Sequence, residues 1–291
     1  MNRFLAFMLA LLFASVTVSS ACAAAASDAI DFNLQPSRGA DGKVHANFRH
    51  GENGKQENNW SSSFMPSDLV GLDMAGFRGA GSRPLHFALV REAGRLDCTG
   101  TGGGSHAWGN CNYSENPAFV QMLTSRGIGR PTRDQGMGLM ALNVRRDIVD
   151  AVAAAHYPTP TIDDLMALTA LGVTGSYINQ MAQAGYRPKS IHALIEFKAL
   201  GIDAAWIGGF VRAGYAGLPS DQLVQLKAMN ITPDYIAGFD RAGYRHLPAE
   251  TLVQLKALDV TPEFARWAAN GRSTMPPVDE LVQAKIFGRR R

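Results

Sequence analysis

The chain has 291 residues, 46% of them hydrophobic, with 28 Lys and Arg against 25 Asp and Glu. Such a composition can build a core and excludes a wholly disordered chain. The formal charge of +3 is mild and both signs are interspersed, so the concentrated phosphate-contacting patch of a nucleic-acid binder is missing and no nucleic-acid partner is expected.

Residues 1–26 carry Arg3, an apolar stretch over 4–18 and small residues over 21–26. This pattern predicts a signal peptide, too short and wrongly flanked for a membrane span, and hence a periplasmic or secreted protein. A second route is a lipoprotein acylated at Cys22. Ala21 suits the preceding position, but Ser19 stands where a bulky aliphatic residue is normal, so lipidation is set second. No later segment is long and apolar enough to cross a bilayer, so no transmembrane segment is expected after signal cleavage. Cleavage would leave Cys98 and Cys111 as the only cysteines, and an even pair in an exported chain favours a disulfide.

Residues 27–113 are expected to form a small antiparallel β domain. Apolar and polar residues alternate over 29–38 and 44–50, separated by the turn signal Gly39-Ala40-Asp41-Gly42. Segments 60–64, 85–90 and 95–98 continue the pattern. The glycine run 102–104 lies near the midpoint between the two cysteines, so a hairpin folded there brings Cys98 opposite Cys111. Ser105, His106 and Asp97 are the only candidates for a hydrolase in this segment. Gly103-Gly104-Ser105-His106-Ala107 lacks the closing glycine and following helix of a nucleophile elbow. It also lacks the Lys-Ser/Thr of a phosphate loop. His45 and His50, five apart, fall on opposite faces of a strand and do not make a metal pair. No catalytic, cofactor-binding or metal-ligating residue is assigned.

Residues 114–291 are a repeat array. Six units of 29 residues run without insertion or deletion over 114–287, starting at Ser114, Asn143, Gly172, Gly201, Asn230 and Asp259. A fixed short period predicts an α-solenoid of six helical hairpins. In the fifth unit Thr232-Pro233 opens a first helix, Gly243 closes it, and Leu247-Pro248 opens a second that runs to about Leu258. The cap position holds Asn116, Thr174, Asp203, Thr232 and Thr261, with Arg145 the exception. The residue starting each later unit is Asn, Gly or Asp, types that tolerate a left-handed turn. Phe119, Ile148, Tyr177, Trp206, Tyr235 and Phe264 recur at one site. Leu123, Val152, Met181, Phe210 and Phe239 recur at another. Leu194, Leu223, Leu252 and Leu281 recur on the second helices, and Leu171, Leu200, Met229, Leu258 and Phe287 further on. All are expected to stack as core layers. Departures at Arg272, Ser273 and Ile128 suit capping repeats, so the array is expected to be complete.

Two ladders remain as candidate partner contacts. Lys198, Lys227, Lys256 and Lys285 share one lattice site, and Arg212 with Arg241 form a shorter series. Tyr186, Tyr215 and Tyr244 follow successive first helices, as Tyr157 does one unit earlier. Lysine near a helix C-terminus also suits the dipole, and loop tyrosine also packs, so each ladder has a purely structural alternative.

Ser61-Ser62-Ser63-Phe64 with Leu69-Val70-Gly71-Leu72, residues 85–92 (LHFALVRE) before Ala93-Gly94, Asn116-Pro117-Ala118-Phe119 and the repeats resemble a known family. It is the extracytoplasmic tail of bacterial regulatory metallopeptidases of the β-lactam-sensor type, with secreted proteins of the same β-plus-repeat layout. The resemblance implies an exported sensing or protein-contact module. It implies no catalysis, because none of the seven histidines is followed by the glutamate of a His-Glu-x-x-His motif. The expected protein is therefore α+β and non-catalytic, without cofactor, binding another envelope or secreted protein through its array. The alternative is a structural envelope protein that binds an anionic cell-wall or outer-membrane polymer. A hydrolase is placed last.

Overall fold

Alternation of apolar and polar residues builds the first strands. The computed structural model describes residues 29–39, 41–52, 55–270, 272 and 274–288. The expected signal peptide with Cys22, the Ser273 site and the arginines at 289–291 lie outside the described residues. Strand β1 (Ile30–Pro36) buries Ile30, Phe32 and Leu34 and exposes the residues between them. β2 (Val44–Glu52) and β3 (Lys55–Phe64) follow as antiparallel neighbours, with Leu34 opposite Ala46 and Ala46 opposite Ser62. Next come β4 (Leu69–Val70), the short helix α1 (Met74–Arg78), β5 (Arg83–Arg91), β6 (Gly94–Gly103) and β7 (His106–Glu115). The seven strands form one sheet in the order β3-β2-β1-β7-β6-β5-β4.

The expected hairpin at the glycine run is present, with Gly104 and Ser105 at its turn, both at positive φ. Cys98 and Cys111 are joined across it, their Cα atoms 4.0 Å apart. Gly100 and Gly109 lie back to back two positions further along, under the ring of Phe32. A Cβ on either would come within 2.9 Å of that ring. The facing backbone is closer still, Trp108 O to a Cβ at Gly100 and Thr99 O to one at Gly109, so the glycines are required first by the close approach of the two strands and then by the Phe32 ring.

Among the described residues twelve helices follow as six hairpins. They are α2 (Pro117–Ser125) with α3 (Arg133–Ala141), α4 (Arg146–Ala154) with α5 (Ile162–Ala170), and α6 (Gly175–Gln183) with α7 (Ile191–Ala199). Then come α8 (Ala204–Arg212) with α9 (Ser220–Ala228), α10 (Pro233–Arg241) with α11 (Ala249–Ala257), and α12 (Pro262–Ala269) with α13 (Val278–Phe287). The fold class is therefore α+β, an antiparallel β region followed by a helical repeat region. By compactness the chain divides into one unit of residues up to 89 plus 96–112 and a second of 90–95 plus 113–291. The tip of the β5–β6 hairpin thus groups with the helices.

Local chemistry sets each hairpin. The side chains of Asn116, Thr174, Asp203, Thr232 and Thr261 accept a backbone N–H at the start of α2, α6, α8, α10 and α12, while Arg145 supplies no such cap. Asn143, Gly172, Gly201, Asn230 and Asp259 all take positive φ, between 51° and 69°. First helices pack on first helices and second on second, as in a solenoid. Gly209 and Gly238 make this possible. A Cβ at these positions would come within 2.9 and 2.6 Å of Pro233 and Pro262, each opening the next first helix.

The core differs in part from expectation. Leu123, Val152, Met181, Phe210 and Phe239 are buried, as are Leu194, Leu223, Leu252 and Leu281. The series ending the second helices is not core throughout: Leu171 is 37% exposed and Phe287 78% exposed. That site falls at the end of each second helix, at the corner between repeats. Its neighbours do the packing: Leu168, Phe197, Leu226 and Leu255 before the corner, and Val144, Val173, Ile202, Ile231 and Val260 just after it.

Candidate interaction edges of the helical array

The four ladder lysines each lie in the last turn of a second helix, and each ammonium sits over an aromatic ring at the start of the first helix of the same repeat. Lys198 is 4.6 Å from the centroid of Tyr177 and Lys227 is 5.2 Å from Trp206. Lys256 is 4.9 Å from Tyr235 and Lys285 is 5.2 Å from Phe264. Such cation–π contacts contribute about 0.5–1 kcal/mol each at partly exposed sites. From Trp206 onward the rings are half-buried, covered on one side by the lysine stem. The core layer expected there is thus a half-core capped by charge. The pair keeps a constant 21-residue spacing in the sequence: repeats three to six carry both partners, whereas the second has Ile148 and Thr169 and the first has Phe119 and Met140.

This edge also ties successive repeats together. Tyr177 Oη donates to Ile202 O at 2.6 Å and Tyr235 Oη to Val260 O at 2.9 Å. Within their own repeats, Lys227 Nζ donates to Gly201 O at 2.9 Å, and Lys285 Nζ lies 3.2 Å from Asp259 Oδ2. Burial pushes the Tyr177 phenol up to about 12, with the nearby Asp203 carboxylate adding to the effect. Tyr235 is raised for the same reasons, by burial and then by Asp259. Asp203 and Asp259 open repeats along this edge and Asp234 and Glu263 lie in the first turns of α10 and α12; Asp259 pairs with Lys285, whereas Glu263 pairs with Arg266.

The tyrosine and arginine ladders lie elsewhere. Arg212 and Arg241 are exposed in the last turns of α8 and α10, the opposite ends from the lysine-capped rings. Helix geometry puts six residues about 9 Å apart along the axis, so the two ladders follow opposite edges. Tyr186 Oη is 2.9 Å from Ser220 Oγ, Tyr215 Oη donates to Leu247 O at 2.6 Å, and Tyr244 Oη donates to Pro276 O at 2.6 Å. Each hydroxyl thereby reaches the segment leading into the second helix of the next repeat. Tyr244 is buried, so this rung packs beneath its loop and offers no free surface to a partner. Tyr186 and Tyr215 remain partly exposed. Tyr157 departs from the series, with Arg187 stacked 5.7 Å from its ring.

The hydrolase candidates are separated. Ser105 is in the hairpin turn and His106 Nδ1 is 3.1 Å from Gly104 O. Asp97 lies next to the disulfide, six strand positions from Gly103, which at about 3.3 Å per residue is some 20 Å away. His45 faces Ser63, with Nδ1 3.3 Å from Oγ, while His50 falls on the face shared by the buried Val44, Ala46 and Phe48. Among the described residues no cluster of three or more His, Cys, Asp or Glu is placed to hold a metal ion, and no helix is long and apolar enough to cross a membrane.

Fold and edges together define a β unit carrying a six-hairpin helical array. No family model matches the chain, and no curated protein or solved structure is significantly similar to it.

Proposed function

We propose that this chain is an exported, non-catalytic interaction or sensing module whose helical array contacts another envelope or secreted protein. The observation that carries this is the lysine–aromatic edge, in which the same chemistry recurs on four consecutive repeats at constant spacing. A row of aromatic rings, each capped by a lysine and partly exposed from Trp206 onward, suits a protein surface that offers both apolar and charged contacts. Lys198, Lys227, Lys256 and Lys285 are its contacts. Arg212, Arg241, Tyr186 and Tyr215 would serve a partner reaching the opposite edge. The resemblance to the sensor-metallopeptidase tail belongs to this proposal and favours the same role. Lys285 is paired with Asp259 and Lys227 is bonded to Gly201 O, which argues against the anionic-polymer alternative, since that needs an uncompensated stripe.

The test uses the exposed carboxylates, because the lysines also hold the fold. Asp234→Lys with Glu263→Lys is compared with the wild type in affinity capture from envelope extract, followed by titration of the purified captured protein. The expected result is a partner whose Kd rises by about tenfold or more, since opposing charges at a contact discriminate strongly. Recovery of the same proteins, with the same affinity, by both forms would remove the edge as the contact surface.

A further inference from the structure

The sheet face opposite the buried Phe32, Leu34 and Ala46 carries an ordered polar surface that the array proposal does not use. The strand register places Ser61 opposite Asn47, Asn47 opposite Asn33, and Asn33 opposite Trp108. The Cys98–Cys111 link and the Gly100–Gly109 approach set the next strand so that Thr101 follows Trp108. One transverse row therefore reads Ser61, Asn47, Asn33, Trp108, Thr101. The adjacent row on the same face reads Asn59, Arg49, Asp31, Asn110, Thr99. Asn110 Nδ2 donates to Asp31 Oδ1 at 2.6 Å, locking that pair.

Trp108 is 54% exposed, whereas Phe32, Phe48, Phe64, Phe77 and Phe87 are all buried. It sits on an interior strand, between β1 and β6, whose backbone groups have neighbours on both sides. The disulfide and the back-to-back glycines hold the strand beneath it, so its indole is presented from a rigid element. Asn47 Oδ1 has no hydrogen-bond partner, leaving an acceptor in the same row that rotation of the amide would turn outward.

We propose that this face is a binding platform for an uncharged glycan strand, with the sugar ring stacked on Trp108 and its hydroxyls bonded to Asn33, Asn110, Thr99 and Thr101. A pyranose has an apolar C–H face that packs on an aromatic plane, and a rim of hydroxyls that both donate and accept. Amides and hydroxyls also do both, which a surface of ammonium groups or carboxylates alone does not. Other ligand classes fit less well. A docked peptide strand would find no open edge at β1 or β7. A phosphate would meet Arg49 already opposite Asp31, and a lipid surface would meet one isolated ring rather than an apolar cluster. Five strands about 4.8 Å apart give a row some 19 Å long, enough for several linked sugars.

The full mature chain is titrated with chitotetraose and with cellotetraose by calorimetry and by tryptophan fluorescence. The expected result is saturable binding of at least one of them, unchanged between about 0.05 and 0.5 M salt as an uncharged ligand requires. Trp108→Ala should weaken it by about tenfold or more, and Asn33→Ala with Asn110→Ala by about fivefold, as for central contact residues. Trp108→Phe should retain most of the affinity, and far-ultraviolet circular dichroism should be unaltered in every variant. Failure of both sugars to bind saturably would overturn the proposal, as would equal binding by Trp108→Ala. So would a self-association, seen by sedimentation, that Trp108→Ala abolishes, because the face would then belong to a second copy of the chain.

Discussion

Lys227→Met separates what the lysine ladder does for the fold from what it offers a partner. The substitution keeps most of the side-chain stem over Trp206 and removes only the charge. Its structural cost follows from two contacts, the ammonium 5.2 Å from the Trp206 centroid and 2.9 Å from Gly201 O at the corner after α7. The first is worth about 0.5–1 kcal/mol at a half-exposed site. The second, an ammonium completing a helix C-terminus, is worth a similar amount. Lys227→Met should therefore cost about 1–2 kcal/mol, which in a helical unit of this size lowers Tm by about 2–4 °C per kcal/mol. Urea unfolding of Lys227→Met, Trp206→Leu and the double variant isolates the pair, with an expected coupling of about 0.5–1 kcal/mol. The m value must stay constant across the set, because a repeat array that unfolds piecemeal would change it. A coupling below about 0.3 kcal/mol would refute the structural role and leave the lysine as a solvated charge.

Two further outcomes follow from the geometry. Reducing the Cys98–Cys111 bond, or replacing both cysteines with alanine, should cost the β unit about 3 kcal/mol in the chain-entropy account of a loop of this length. An unchanged melting curve in reductant would show that the bond does not constrain that unit. Tyr177→Phe removes the hydroxyl that donates to Ile202 O and should cost about 1 kcal/mol near neutral pH. Because the folded phenol is raised to about 12 from an ordinary value near 10, its stabilisation is complete below pH 10 and is lost as pH climbs toward 12. Chemical unfolding at pH 8, 10 and 11.5 should therefore show the wild type falling more steeply than Tyr177→Phe. Parallel curves would contradict the burial of that hydroxyl.

What was legible in the sequence was whatever depends on neighbours a few residues apart. A cap at Thr232, a proline at position 233 and a left-handed corner at Asn230 each act within one helical turn, so their recurrence every 29 residues determined the hairpins and their count. The alternation in β1 and the glycine run before Ser105 acted over similar distances, and the disulfide followed from the hairpin. Other features needed the chain to be folded. The corner residues Leu171 and Phe287 resemble core in composition, but the turn of the chain at the helix end leaves them 37% and 78% exposed. Lys227 and Trp206 lie 21 residues apart, and only antiparallel packing of α8 and α9 brings them into contact. The same packing sends the lysines and the loop tyrosines to opposite edges, which their shared periodicity could not reveal. On the β unit the row from Ser61 to Thr101 joins five strands drawn from more than 40 residues of separation. Strand register is a collective result of burying Phe32, Phe48 and Cys98 together, so Trp108 became part of a surface only when the tertiary structure was formed.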